Sequence, residues 1–443
     1  MKRGADPARR LAYRVIRGVG AQGAYANIKT AQQLRDSDLQ PRDAAFATEL
    51  IAGTCRLAGT YDRIIESASG RPRLDDGVRA VLRLQAHQLL SMRVPAHAAI
   101  SSSVDLARAE IGEWVTGLVN AVGRRIAARD LDGWLDLLGE RLELDPLDAL
   151  ALRTHHPRWI VDALADVLPA DELQPMLLAD NTAPPTHLAV RPGLAEVAEL
   201  TAAGATPARF SPYGACFAGP PAQLVAVRDG RAGVQDEGSQ LVALAAARAP
   251  APYGPWLDLC AGPGGKAALL AGLAIAGGVR LVAAELHRHR AELVARALRG
   301  YDGPLAPVTV VADGRRGPFR PGTFAKVVVD VPCSGLGVLR RRSDSRWRRR
   351  PEDIAQLVEL QRALLIAGIE AAKPGGVVAY VTCSPIRAET AAVVDAVAPG
   401  RADVLTAAEY LPEVPNAASG EHVQLWPHRH GTDAMFLALL RRR

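Results

Sequence analysis

Between residues 8 and 126 the apolar positions recur at helical spacing. Ala8, Leu11, Ala12, Val15 and Ile16 share one face, and Phe46, Ala47, Leu50, Ile51 and Thr54 share another. Val78, Val81, Leu82, Gln85 and Leu89 form a third stripe, and Trp114, Leu118, Ala121, Val122 and Ile126 a fourth. Pro95 and Gly70-Arg-Pro72 punctuate them, and no alternating strand pattern intervenes, so an all-α domain is expected over 1–137. Over 138–232 repeated prolines (146, 157, 175, 184, 185, 192) break the pattern, and short strands are expected at 186–190 and 224–227. This stretch reads as a small mixed α/β connector.

From residue 233 onward, continuous apolar runs alternate with helical stretches. Strands are expected at 256–259, 280–285, 308–311, 326–330, 376–382 and 434–440. Helices are expected at 267–276, 287–299, 351–373 and 387–397. Runs that are apolar throughout suit strands covered on both faces. The expected fold class is therefore α/β, with a Rossmann-like doubly wound domain over 233–443.

Composition changes this picture little. At 443 residues the chain can hold two or three cores, and 49% hydrophobic with 23% charged residues is ordinary for a globular protein. A formal charge of +6, carried almost wholly by arginine, is compatible with a polyanionic partner. Five cysteines (55, 216, 260, 333, 383) with no CxxC pair argue against a disulfide framework and a zinc site, and for a reducing compartment. No apolar segment follows the charged Met1-Lys-Arg start, and no run is long enough to span a bilayer. A cytoplasmic monomer is expected.

The candidate chemistry gathers at the ends of the expected strands. Cys260, Ala261, Gly262, Pro263, Gly264, Gly265 and Lys266 form a glycine-rich turn between strand and helix, where bare N–H groups can cradle a nucleotide-like ligand. Gly262, Gly264 and Ala267 satisfy the dinucleotide pattern, and Glu285 closes the next strand where an acid can accept ribose hydroxyls. A nicotinamide dinucleotide and S-adenosylmethionine are served alike. A P-loop is excluded, because Lys266 is followed by Ala267. Asp313 closes the third strand, either as an adenine acceptor or as a turn cap. Asp330-Val-Pro-Cys333-Ser-Gly335 and Thr382-Cys383-Ser384 place a carboxylate and two thiols at the same sheet edge. Seven arginines lie among residues 340–350, around Trp347. Arg340, Arg341, Arg342, Arg346 and Arg348 are expected to meet RNA phosphates, with Trp347 as a stacking platform. His428 and His430 lack a third ligand and are not read as a metal site.

These motifs together resemble the Sun/Fmu (RsmB-like) family of RNA cytosine-C5 methyltransferases. Gln235-Asp-Glu-Gly-Ser-Gln-Leu241 and Trp426-Pro-His-Arg-His-Gly-Thr-Asp433 agree, and the helical N-terminal region resembles the NusB-like RNA-binding domain of bacterial members. The resemblance implies methyl transfer from S-adenosylmethionine to carbon 5 of a cytosine in RNA, with small-subunit (16S) ribosomal RNA as substrate. It implies Cys383 as the covalent nucleophile, Cys333 as the residue assisting release, and Asp330 as a hydrogen-bond partner of the base. It assigns the cofactor's methionine part to the backbone of 260–266, its ribose to Glu285 and its adenine to Asp313. Gly262 stands where the family usually has Ala, Ala267 where it has Thr, and Glu285 where it has Asp. A nicotinamide-dependent oxidoreductase and a non-catalytic, RNA-binding ribosome assembly factor are the competing readings.

Overall fold

A computed structural model describes residues 4–22 and 26–443; Met1, Lys2 and Arg3, on which part of the N-terminal reading rests, lie outside it. The chain divides into two compact units. The first comprises the chain up to Thr182 together with Leu339–Arg349; the second comprises Ala183–Val338 and Arg350–Arg443.

The first unit is helical. Pro7–Gln22, Ala26–Arg35, Pro41–Arg56, Ala58–Ser69, Asp76–Leu90, Ala96–Glu110 and Thr116–Ile126 carry the expected stripes. Their apolar faces converge on Leu50, Tyr61, Ile64, Leu82, Val119 and Ile126, all fully buried. Each such side chain contributes roughly 1.5–3 kcal/mol of transfer free energy. Asp75 starts its helix by accepting from the Gly77 and Val78 amides. Two expectations shift. The fourth stripe is offset: Trp114, 76% exposed, and Ala121 face outward, while a 3-10 turn at Glu113–Val115 turns Val115 inward to join Val119, Val122 and Ile126. Helices also continue through Leu131–Leu142, Pro146–Arg153, Arg158–Ala165 and Ala170–Ala179, so the helical region runs well past residue 137.

The second unit holds two sheets. A small antiparallel one contains β1 (Thr186–Val190), β2 (Thr206–Pro207), β3 (Gly214–Phe217) and β4 (Ala232–Val234), in the order β2-β3-β1-β4. The strand expected at 224–227 is instead a short helix, Val225–Arg228. Pro220 and Pro221 begin a 3-10 turn just before it and lead the chain into helical geometry.

The large sheet comprises β5 (Trp256–Asp258), β6 (Leu281–Glu285), β7 (Val308–Val311), β8 (Phe324–Asp330), β9 (Ala372–Thr382), β10 (Ala402–Leu405), β11 (Ala418–Ser419), β12 (His422–Gln424) and β13 (Phe436–Arg442). Its order is β11-β12-β13-β9-β8-β5-β6-β7, with β10 also on β13. From β9 to β7 every pairing is parallel, whereas β13 runs antiparallel to β9, β10 and β12. The sheet is thus mixed rather than wholly parallel. Valines of β8 and β9 are buried on both faces, and the helix Gly265–Ala276 covers one side with Leu269, Leu270 and Ala274. The strand order reverses at β5, which has β6 on one side and β8 on the other, so the switch point of the sheet lies at the C-terminal ends of β5 and β8.

Candidate active site

The glycine turn begins where β5 ends. Gly264 has φ +112°, which a side chain rarely tolerates, and a Cβ there would run into Ala297 and the Val294 backbone. The turn then enters the helix Gly265–Ala276 directly. Glu285, at the end of β6, is buried and accepts from the Gly262 amide at 3.1 Å and the His287 amide at 2.9 Å, with Arg290 3.5 Å away. Arg290 also donates to the Gly262 carbonyl, so this strand-end acid and the turn are locked to each other.

Asp258, at the end of β5, was not singled out from sequence. It is buried, and neither carboxylate oxygen has a hydrogen-bond partner. Burial, and then the charge of Asp330, push its carboxyl up to about 7. An acidic group held without a donor suits a ligand carrying a positive charge. Together with the glycine turn, this is the observation on which the residues present fit a cofactor with a cationic end.

Asp330 ends β8, and its Oδ2 lies 3.0 Å from Lys266 Nζ. Burial works against the Lys266 charge, but Asp330 and then Cys383 outweigh it and leave the ammonium with a raised pKa. The two thiols meet: Cys333 Sγ and Cys383 Sγ are 3.3 Å apart, each partly accessible. Gly337 fixes their approach. Its N–H donates to the Cys383 carbonyl at 2.9 Å, its carbonyl accepts from the Ala434 amide, and a Cβ there would collide with the Ala434 and Cys383 carbonyl oxygens. Cys333 sits well above the ordinary thiol range, first through its hydrogen bond to Cys383 and then through burial. Burial pushes the thiol of the half-buried Cys260 far up, which is packing behaviour rather than reactivity.

Asp313 takes the turn-cap course. It accepts from the Arg315 amide and pairs with the Arg315 guanidinium at 2.6 Å, which holds its carboxyl down at about 2. The Gln235–Leu241 stretch is structural. Asp236 Oδ1 accepts from the Gly238 and Asp433 amides, tying it to the Trp426–Asp433 loop. His430 spends both ring nitrogens on the backbone of Trp426 and Pro415. Among the described residues no group of three or more His, Cys, Asp or Glu could hold a metal, and no helix is long and apolar enough to cross a membrane.

Up to Arg349 the arginine run belongs to the first unit, and three residues of the stretch, Arg340, Arg346 and Trp347, are not placed as expected. Arg346 is completely buried and donates to the His155 and Asp180 carbonyls and, at 2.7 Å, to Asn181 Oδ1. Trp347 donates to the Arg56 carbonyl at 3.0 Å, and its ring lies over Gly59. Arg346 is thus committed to the helical core, and the half-buried Trp347 is pinned to it through its indole N–H. Arg340 is buried, Arg348 pairs with Asp344 at 2.9 Å, Arg341 is half-buried and Arg342 is exposed.

Residues 245–441 match the family model for 16S rRNA methyltransferase RsmB/F, and residues 6–128 match the NusB family. The chain is 48% identical over 451 residues to the provisionally named methyltransferase Rv1407 of Mycobacterium tuberculosis, covering 100% of this chain and 98% of that one. It is 32% identical over 403 residues to the ribosomal RNA small subunit methyltransferase B of Pseudomonas syringae, covering 88% and 86%. In fold it is similar to the crystal structure of PH0851, with a TM-score of 0.78, 21% identity and coverage of 98% and 99%.

Proposed function

Because the chain belongs to the RsmB/F family of S-adenosylmethionine-dependent methyltransferases, we propose that it methylates carbon 5 of a cytosine in small-subunit ribosomal RNA through a covalent adduct at carbon 6. The observation that carries this reading is the thiol pair. Two cysteines 3.3 Å apart, beside a Lys266–Asp330 ion pair, answer a reaction that needs one thiol to add and another group to help it leave. Carbon 5 of cytosine is a weak nucleophile. Addition of the Cys383 thiolate to carbon 6 forms an S–C bond and moves the ring π electrons to carbon 5, which can then take a methyl group. Loss of the carbon 5 proton and cleavage of the S–C bond restore the ring and the thiolate. Cys333 assists this release, and Asp330 hydrogen-bonds the base.

S-adenosylmethionine supplies an electrophilic methyl on a sulfonium. The backbone of 260–266 would hold its methionine part, Asp258 its ammonium group, and Glu285 its ribose. Asp313 would reach the adenine only by giving up part of its pairing with Arg315. Arg341 and Arg342 would contact RNA phosphates, and a target base inside a helix would have to be flipped out. The nicotinamide reading of the glycine turn falls with the family assignment. A non-catalytic assembly factor has no use for two facing thiols.

The test is a pair of variants assayed on unmodified small-subunit RNA. Cys383→Ala should abolish both methyl transfer and any covalent RNA adduct. Cys333→Ala should accumulate an adduct that survives denaturing electrophoresis. The opposite pattern would reverse the two roles, and no methyl incorporation by the wild type would refute the activity. Mapping 5-methylcytosine in ribosomal RNA from cells with and without the gene identifies the target.

A further inference from the structure

Behind the thiol pair lies a carboxylate that the proposed reaction does not use. Glu389, in the turn Arg387–Glu389 after β9, is completely inaccessible. Its Oε1 accepts from the Ser334 amide at 2.8 Å and from Gln361 Nε2 at 2.9 Å, and its Oε2 accepts from the Ser334 hydroxyl at 2.5 Å. Ser334 directly follows Cys333. Its Oγ lies 3.2 Å from that of Ser384, which directly follows Cys383. The Glu389 carbonyl accepts from the Tyr380 hydroxyl at 2.8 Å, which pins the turn to β9. Among the described residues the donors to this carboxylate are the uncharged Ser334 and Gln361, and the group lies behind one thiol of the pair.

Two neighbouring thiols pose a problem of identity. If either could lose its proton, the nucleophile would be undefined. Cys333 faces Glu389 and Asp330, whose charges both oppose a thiolate there, and Tyr380, which is neutral. The cation at this edge, Lys266, feels the charge of Cys383.

We infer that Glu389 is a positioning residue that keeps the shared proton on Cys333, so that Cys383 is the thiolate of the pair. No bond is made or broken; the Cys333 S–H donates to the Cys383 sulfur. The inference rests on the proposed roles of the two cysteines, but thiol reactivity can be read without any methyl transfer.

The experiment is pulsed alkylation of the full chain with iodoacetamide from pH 6.5 to 9.5, without RNA, with both cysteines quantified by peptide mapping. In the wild type Cys383 should react at least ~10-fold faster than Cys333 at pH 7.5, since the thiolate is the reactive form. Glu389→Gln keeps a side chain able to bond Ser334 and Gln361 while removing the charge. It should move the Cys333 pH profile downward and shrink the preference by ~10-fold, about one pKa unit. Glu389→Asp, which restores the charge, should recover the preference. An unchanged ratio in Glu389→Gln overturns the inference. So does a wild type in which Cys333 titrates first, a measurement that needs no variant to fold. The RNA adduct separates the two claims. An adduct through Cys383 with an unchanged alkylation ratio sinks only the role of Glu389, whereas an adduct through Cys333 sinks the role assignment itself.

Discussion

The glycine turn carries a dependence between two positions that a double-mutant cycle can measure. A methyl group added at Gly262 would overlap Glu285 Oε2 by ~1 Å and press on the Arg290 guanidinium. The carboxylate cannot yield without leaving the Gly262 amide, which it now accepts from at 3.1 Å. Losing that charge-assisted bond in a buried setting costs about 1.5–3 kcal/mol, and forcing a methyl into a filled space costs about 1–3 kcal/mol. The combined cost, about 2.5–6 kcal/mol, falls partly on the free protein, and a share near 3 kcal/mol borne by the complex corresponds to roughly 100-fold weaker cofactor binding. Glu285→Asp withdraws the carboxylate by one methylene and clears the space. Gly262→Ala alone should therefore lose about two decades of S-adenosylmethionine affinity by titration calorimetry. Adding Glu285→Asp should restore most of it, a coupling of about 2 kcal/mol. If Gly262→Ala binds within about 3-fold of wild type, or the double variant binds no better than Gly262→Ala, the steric argument is wrong. The outcome would also explain why the residues found here, Gly262 and Glu285, both depart from the Ala and Asp usual in the family: the shorter residue at one place makes room for the longer one at the other.

Two further outcomes follow from buried charges. Asp258 has a folded carboxyl raised to about 7, so between about pH 4 and 7 the native state binds more protons than the unfolded chain, and stability falls as pH rises through that window. The ligand-free wild type should lose more Tm from pH 5 to 8 than Asp258→Asn, while the variant binds S-adenosylmethionine more weakly; parallel Tm–pH curves would refute the assignment. Arg346→Met removes the donor to three buried acceptors, which should cost roughly 3–5 kcal/mol and lower Tm by about 10 °C. An unchanged Tm with a loss of RNA affinity would instead return Arg346 to the RNA-binding surface.

Much of the second unit was legible because its strands are buried on both faces. Apolar runs such as Val327-Val328-Val329 and Val377-Val378-Ala379 leave little else to predict, and the polar residues that end them mark the sheet edge. The antiparallel strands were harder to read. β10, β11 and β12 are two to four residues long, and only the pairing of β10 and β12 on β13, and of β11 on β12, makes them strands. Asp258 was hidden as the polar residue of an apolar strand, and Glu389 falls inside the helix expected at 387–397, where nothing marks it; only Gln361, Ser334 and Tyr380 show what it bonds. The arginine run misled for a related reason. A guanidinium reads as surface unless its acceptors are known, and those of Arg346 lie more than 160 positions earlier in the chain.

That distance has a consequence for biosynthesis. The helical unit is discontinuous, since its last eleven residues, Leu339–Arg349, are translated after more than half of the second unit. Until Arg346 leaves the ribosome, the carbonyls of His155 and Asp180 and the side chain of Asn181 lack the donor that the finished core gives them. The N-terminal helices can assemble early, but their packing closes only late. A fragment ending at Thr182 should therefore emerge as a loosened, protease-sensitive bundle. Supplying 339–349 in trans, or grafting it through a short linker, should tighten it.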